Sequence, residues 1–203
     1  MAEKIKITYF NAKAKAELIR LILVASNVDF EDKRIEFEDW PQLKPSIPSG
    51  QLPVVQLTCG TILNESLAIA RYFAKKYHLA GSGEIEEYKA DRAVCTLDDL
   101  FTKIVDIFHE KDVEKSKLLR TELNETHLAI FLNRVSGYFT EHDGDFFLGS
   151  KPSYADLQLV NIMDHFEESQ YQNYPKIVKC YQQVLEHFPK VKEYKATRVA
   201  TII

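Results

Sequence analysis

The chain has 203 residues, 45% hydrophobic and 28% charged, an ordinary globular composition with room for one large domain or two small ones. A net charge of −4, small and evenly spread, gives no case for a nucleic-acid footprint, and apolar runs such as Leu21-Ile22-Leu23-Val24-Ala25 are far too short to cross a bilayer. Cys59, Cys95 and Cys180 lie far apart with no CxxC pair, and Met1-Ala2-Glu3-Lys4 is charged at once, so the expectation is a cytoplasmic protein with reduced thiols.

Residues 4–9 alternate with a period of two and predict a strand ending at Tyr9. The basic loop Asn11-Ala12-Lys13-Ala14-Lys15 follows. Residues 16–25 then set Leu18, Leu21, Ile22 and Ala25 at helical spacing. Residues 32–35 carry a weaker strand signal. Residues 52–57 and 61–63, on either side of Thr58-Cys59-Gly60, read as a hairpin. From Ser66 the period turns helical again through Leu67, Ala70, Arg71 and Ala74, with Gly81 as the expected stop. The order β-α-β-(α)-β-β-α describes an α/β unit with a mixed sheet.

Gly81-Ser82-Gly83 is the linker candidate, separating a domain of residues 1–80 from one of residues 84–203. No strand pattern persists beyond it. Residues 84–110 read as one long helix and 113–142 as a second, with a polar break near Lys111-Asp112. Ser153, with Asp156 three positions on, forms a capping box opening another helix, and Pro175 and Pro189 start two more. The second domain is expected to be all-helical.

The common catalytic signatures are missing. The histidines form no HxxxH or Cys/His cluster, and there is no GxSxG elbow, P-loop or GxGxxG. Asp98 and Asp99 read as a solvated helix face. Three local features ask for more than folding. Tyr9 stands before a helix start, where free N–H groups and Lys13 and Lys15 favour an anion to which a phenol can donate; the alternative is a tyrosine packed on the core. Pro53 after Gln51-Leu52 reads, on residues alone, as a trans proline opening an edge strand, the alternative being a cis bond that offers the Leu52 backbone to a ligand. Ser66 either caps its helix or receives a carboxylate there, with Glu65 facing an ammonium, an arrangement suited to the α-end of an amino acid.

Taken together these features resemble the glutathione transferases, and the sigma class of parasitic flatworms in particular. The likeness spans the chain: "YFNAKAKAELIR", "FEDKRIEFEDWPQLKPSIPSGQLPVV", "ESLAIARYFAKKYHLAG", the acidic Asp98-Asp99-Leu100 patch and "GSKPSYADL" are each similar to the corresponding segment of that class. The resemblance implies a thioredoxin-like N-terminal domain, a helical-bundle C-terminal domain and a homodimer, with glutathione as co-substrate and no permanently bound cofactor. It also implies roles. Tyr9 donates its O–H to the glutathione sulfur. Leu52 pairs its backbone with the cysteine, with a cis bond before Pro53. Trp40 and Lys44 hold the glycine carboxylate, Glu65 and Ser66 the γ-glutamyl end, and Asp99 of the partner subunit approaches the same ammonium. Phe10, Ala14, Leu100, Phe101, Ile104 and Phe108 wall a pocket for a hydrophobic electrophile.

The sequence departs from the class at four points. Lys15 replaces an arginine, keeping the charge without the planar fork. Gln51 stands where a basic residue is usual, and Glu65 where many members carry glutamine. Cys95 interrupts an acidic cluster that binds a divalent metal in the related prostaglandin D synthase, so no metal is expected. The expected activity is conjugation of glutathione to hydrophobic electrophiles, with lipid-peroxide reduction on the same chemistry. The alternatives are prostaglandin isomerisation on the same scaffold, and a non-catalytic glutathione-binding descendant resembling the lens crystallins.

Overall fold

The computed structural model describes residues 4–201, and the chain divides into two compact units. The first runs to Tyr77 and is completed by the segment from Lys190 onward; the second is His78–Pro189. The break after Tyr77 lies within three residues of the expected domain end. The return of the last segment was not expected. It is tied to the first unit by polar contacts: Arg198 and Tyr194 both reach the buried Glu17, and the Lys190 ammonium donates to the Asn27 side-chain oxygen.

In the first unit β1 (Ile5–Phe10) alternates as read, burying Ile5, Ile7 and Tyr9. A 3-10 turn (Ala14–Ala16) leads into α1 (Glu17–Ala25), and β2 (Phe30–Ile35) returns parallel to β1, Ile5 opposite Phe30 and Phe10 opposite Ile35. β2 is an edge strand, and its run of charges suits an edge while weakening its strand signal. The short α2 (Trp40–Leu43) follows between two 3-10 turns, then β3 (Val54–Gln56) and β4 (Ile62–Leu63) form the hairpin. Strand order is β2-β1-β3-β4, with β3 antiparallel to both neighbours, the thioredoxin-like arrangement.

Pro53 therefore opens an inner strand rather than an edge strand. That is tolerated because the ladder begins one residue later, at Val54, so the missing proline N–H removes no rung. The Leu52–Pro53 bond is cis, correcting the trans reading made on residues alone and agreeing with the one the resemblance implies. Helix α3 (Ser66–Lys76) packs against α1, burying Ile69, Ala70, Phe73 and Ala74. It stops before Gly81 because His78 takes the left-handed turn, at φ 61°. Gly81 serves another purpose: a Cβ there would lie 2.8 Å from that of Glu86.

The second unit is helical as expected. Helix α4 (Glu84–His109) fulfils the first long pattern. The second is realised as α5 (Val113–Glu122) and α6 (Leu128–Tyr138), joined through a single π turn at Leu123–His127. It ends four residues early, where the Thr140 hydroxyl donates to the Gly137 carbonyl at 2.7 Å. At the centre lies α7 (Tyr154–Met163), buried on every side and packed against α4 and α8 (Pro175–His187). Its Ser153–Asp156 capping box is formed as read. Helix α9 (Pro189–Thr197) starts on the second proline, and from Lys190 onward it belongs to the first unit. Among the described residues no helix is long and apolar enough to cross a membrane.

Candidate active site

The sheet register gathers the three unexplained motifs. β1 and β3 run antiparallel with Thr8 opposite Val54, so Tyr9, next to last in β1, lies at the end where Pro53 leads into β3. β3 and β4 run antiparallel with Val55 opposite Leu63, so the Glu65–Ser66 corner emerges at that same end. β2 is parallel to β1 and releases the chain there too, into the segment carrying Trp40 and Lys44. The carboxyl ends of parallel strands are where α/β sheets bind ligands, because helix N-termini and loop amides converge there.

Tyr9 itself is 7% exposed. The backbone N–H of Lys15 donates to its hydroxyl oxygen at 3.3 Å, which occupies an acceptor position and leaves the phenolic proton to donate elsewhere. Burial pushes the phenol above its ordinary pKa; the Lys15 amide and the Arg20 charge pull it down without reversing the shift. Tyr9 therefore stays protonated at neutral pH, with a proton to donate. The loop that supplies the Lys15 amide is strained, with Ala14 at φ 34° and its methyl buried.

Beneath the loop lies a charge network that sequence reasoning missed. Arg20 is fully buried on α1 and donates to the carbonyls of Ala12 (2.9 Å) and Lys13 (3.2 Å). It pairs with Glu17 at 3.1 Å and Asp32 at 3.0 Å, and its guanidinium centre lies 6.0 Å from the centre of the Tyr9 ring. The available signal was Glu17 and Arg20 at i, i+3 on the apolar face of a helix, a pairing expected when both charges are buried.

Trp40 is half-buried, its ring 5.6 Å edge-on from Phe10, which also stacks on Phe37 at 4.6 Å. Lys44 is exposed, and its stem passes Gly50, whose φ is 61°. Gln51 is exposed, and Leu52 is half-buried beside the cis bond. Glu65 sits at φ 68° and ψ 103°, outside the helical region, and no side chain caps α3. Ser66 is thus the first residue of the helix and not its cap, which corrects the bland reading of that serine. On α4 Asp99 is exposed, Leu100 and Phe101 are buried with Phe101 against the His165 ring, and Ile104 and Phe108 are half-buried.

One end of a thioredoxin-like sheet thus carries a phenol, a cis-proline and an uncapped helix start. The glutathione S-transferase N-terminal domain family matches residues 5–75, and the glutathione S-transferase C-terminal domain family matches residues 98–198. The glutathione S-transferase class-mu 28 kDa isozyme of Schistosoma haematobium is 36% identical over 207 residues, covering 98% of this chain and 98% of that protein. Among solved structures, rat hPGDS complexed with a quinoline is similar with a TM-score of 0.90 and 29% identity, covering 99% of this chain and 100% of that one. The Fasciola hepatica sigma class GST is similar with a TM-score of 0.87 and 26% identity, covering both chains fully at 100%. The protein belongs to the glutathione S-transferase family of enzymes.

Proposed function

We propose that the protein is a sigma-class transferase that conjugates glutathione to hydrophobic electrophiles, Tyr9 stabilising the reacting thiolate. The observation that carries this reading is the Tyr9 hydroxyl, buried, held protonated, and with its oxygen already engaged by the Lys15 amide. A free thiol has a pKa near ~8.5, so only a few per cent is thiolate at neutral pH. Lowering that value by about two units requires about 2.7 kcal/mol of preference for the anion, and one hydrogen bond to a charged acceptor supplies roughly 1.5–3 kcal/mol. The thiol proton passes to solvent, the sulfur bonds to the electrophilic carbon, and with an aryl halide the halide departs.

The other contacts are those that the family resemblance implies for the tripeptide γ-Glu-Cys-Gly. The Leu52 backbone before Pro53 pairs with that of the cysteine. The Trp40 indole N–H and the Lys44 ammonium take the glycine carboxylate, with Gln51 beside them as a neutral donor. The Ser66 hydroxyl and the first amides of α3 take the γ-glutamyl carboxylate, while Glu65 and Asp99 of the partner subunit face its ammonium. Lys15 adds positive potential beside the sulfur. For the electrophile the first unit offers Phe10 and Ala14, and α4 of the second offers Leu100, Phe101, Ile104 and Phe108. This reading entails a homodimer in the cytoplasm. Tyr9→Phe is expected to raise the pKa of the bound thiol by about two units, read from its ultraviolet absorbance, and to reduce kcat/KM for an aryl halide near neutral pH by roughly 25-fold. A variant that titrates and turns over like the wild type refutes the donor role.

A second reading, prostaglandin isomerisation, is favoured by the likeness to the rat enzyme structure. It requires the sulfur to attack an endoperoxide oxygen, and Lys15 lacks the fork with which an arginine would hold both oxygens. Little conversion of PGH2 to PGD2, against ready conjugation of aryl halides, is the expected result.

A further inference from the structure

We infer that the segment following α9 belongs to the catalytic apparatus, with Thr201 and Arg198 as positioning residues for the loop that aims the Tyr9 hydroxyl. The inference rests on the donor role of Tyr9 and adds what holds that donor in place. Ala14 is an alanine at φ 34°, a conformation that persists only where its neighbours are held on both sides. Lys13, just before it, is held twice: its N–H donates to Thr201 Oγ1 at 3.2 Å, and its carbonyl accepts from Arg20 at 3.2 Å. Lys15, just after it, places its N–H on Tyr9. A residue 188 positions along the chain thus holds the middle of the five-residue loop whose last residue contacts the phenol oxygen.

Arg198 works one layer below. Its Nη1 lies 2.5 Å from Glu17 Oε1, while Glu17 Oε2 accepts from Arg20 at 3.1 Å and from the Tyr194 hydroxyl at 3.4 Å. Glu17 is fully buried, and its pairing with both cations offsets the cost of burying it. With Arg198 in place Glu17 steadies Arg20, and Arg20 keeps its hold on the Ala12 and Lys13 carbonyls. An N–H donated to a phenol oxygen strengthens the O–H donation on its other side, and this is how the strap reaches the sulfur.

The test compares Thr201→Val, which replaces the hydroxyl with a methyl group, with Thr201→Ser, which keeps the hydroxyl, and uses Tyr9→Phe as the reference. For each, the thiol of bound glutathione is titrated by ultraviolet absorbance, and kcat/KM for an aryl halide is followed across pH. Thr201→Val is expected to raise the thiol pKa by about 0.5 unit, so that kcat/KM falls roughly threefold on the acid side and recovers in alkali, with KM for glutathione unchanged. Thr201→Ser should match the wild type, and Arg198→Leu should shift the titration in the same direction as Thr201→Val. If Tyr9→Phe moves the titration and Thr201→Val does not, the strap is refuted while the donor role stands. An activity loss in Thr201→Val that is uniform across pH and follows a lowered melting temperature refutes it as well. If Tyr9→Phe itself moves nothing, the donor role fails and the strap falls with it.

Discussion

Ser153 and Ser66 both stand at the start of a helix, and they use their hydroxyls in opposite ways. Ser153 lies outside α7 on an extended backbone, and its Oγ accepts the Ala155 N–H at 3.3 Å. Asp156 closes the box, accepting the Ser153 N–H at 2.6 Å, the Ser153 hydroxyl at 2.8 Å and the Phe147 N–H at 2.8 Å. Each of these polar groups is satisfied inside the protein. Ser66 instead lies inside α3, behind Glu65 at a positive φ, and no side chain answers the first amides of that helix. The same residue types make a structural joint where their bonds close on themselves and a binding surface where they stay open.

The largest effect that would break this contrast lies at the closed joint. Asp156→Ala orphans buried donors from Phe147 and Ser153 and strands the Cys180 thiol, which lies 3.3 Å from the carboxylate. The expected cost is about 3–5 kcal/mol of stability in urea unfolding, the sum of a few buried groups left unpaired. Glutathione affinity of the molecules that remain folded should be unchanged. A variant with an unchanged unfolding midpoint would remove the joint from the account.

Alkali sharpens the comparison between the two fully buried carboxylates, Asp156 and Glu17. Each has a weak acid beside it whose pKa is raised, chiefly by burial and then by the neighbouring charge: Cys180 near Asp156, Tyr194 near Glu17. A proton held more tightly in the folded state than in the unfolded one stabilises the fold fully below the unfolded pKa, and that contribution is lost as pH rises above it. Stability should therefore decline from about pH 9, where an unfolded thiol ionises, and more steeply above about pH 10, where an unfolded phenol does. Tyr194→Phe should blunt the upper part of the decline and leave the lower part. Urea midpoints across pH for both proteins decide it, and parallel curves would show that Tyr194 is not responsible.

Much of the fold was legible because its signals are local. The alternation of β1, the hairpin around Gly60, the capping box at Ser153 and the uncommon neighbours of Tyr9, Pro53 and Ser66 all fall within a few residues of one another. Trp40 and Lys44 came only from the family resemblance, since an indole and an exposed lysine in a short helical segment carry no periodicity. What stayed hidden depends on residues far apart in the chain. Glu17 looks like an ordinary first-turn acid until Tyr194 and Arg198 return to it. The stop of α3 at a histidine rather than a glycine, and the π turn between α5 and α6, are backbone choices set by packing, not by residue type.

The smallest expected effect is also the one that speaks most directly to the open helix start. Ser153→Ala removes a working cap and should cost about 1–2 kcal/mol of stability, with no change in KM for glutathione. Ser66→Ala removes a hydroxyl that caps nothing, and alanine is the better helix former, so stability should stay within about 0.5 kcal/mol of the wild type. Its cost should appear on the ligand side. Losing one hydrogen bond to a carboxylate should raise KM for glutathione by about tenfold, while kcat at saturation changes little because the bond is remote from the sulfur. Urea unfolding and glutathione saturation curves on the two alanine variants separate the roles. If Ser66→Ala loses stability and keeps its KM, the hydroxyl serves the fold after all, and the two helix starts are the same device.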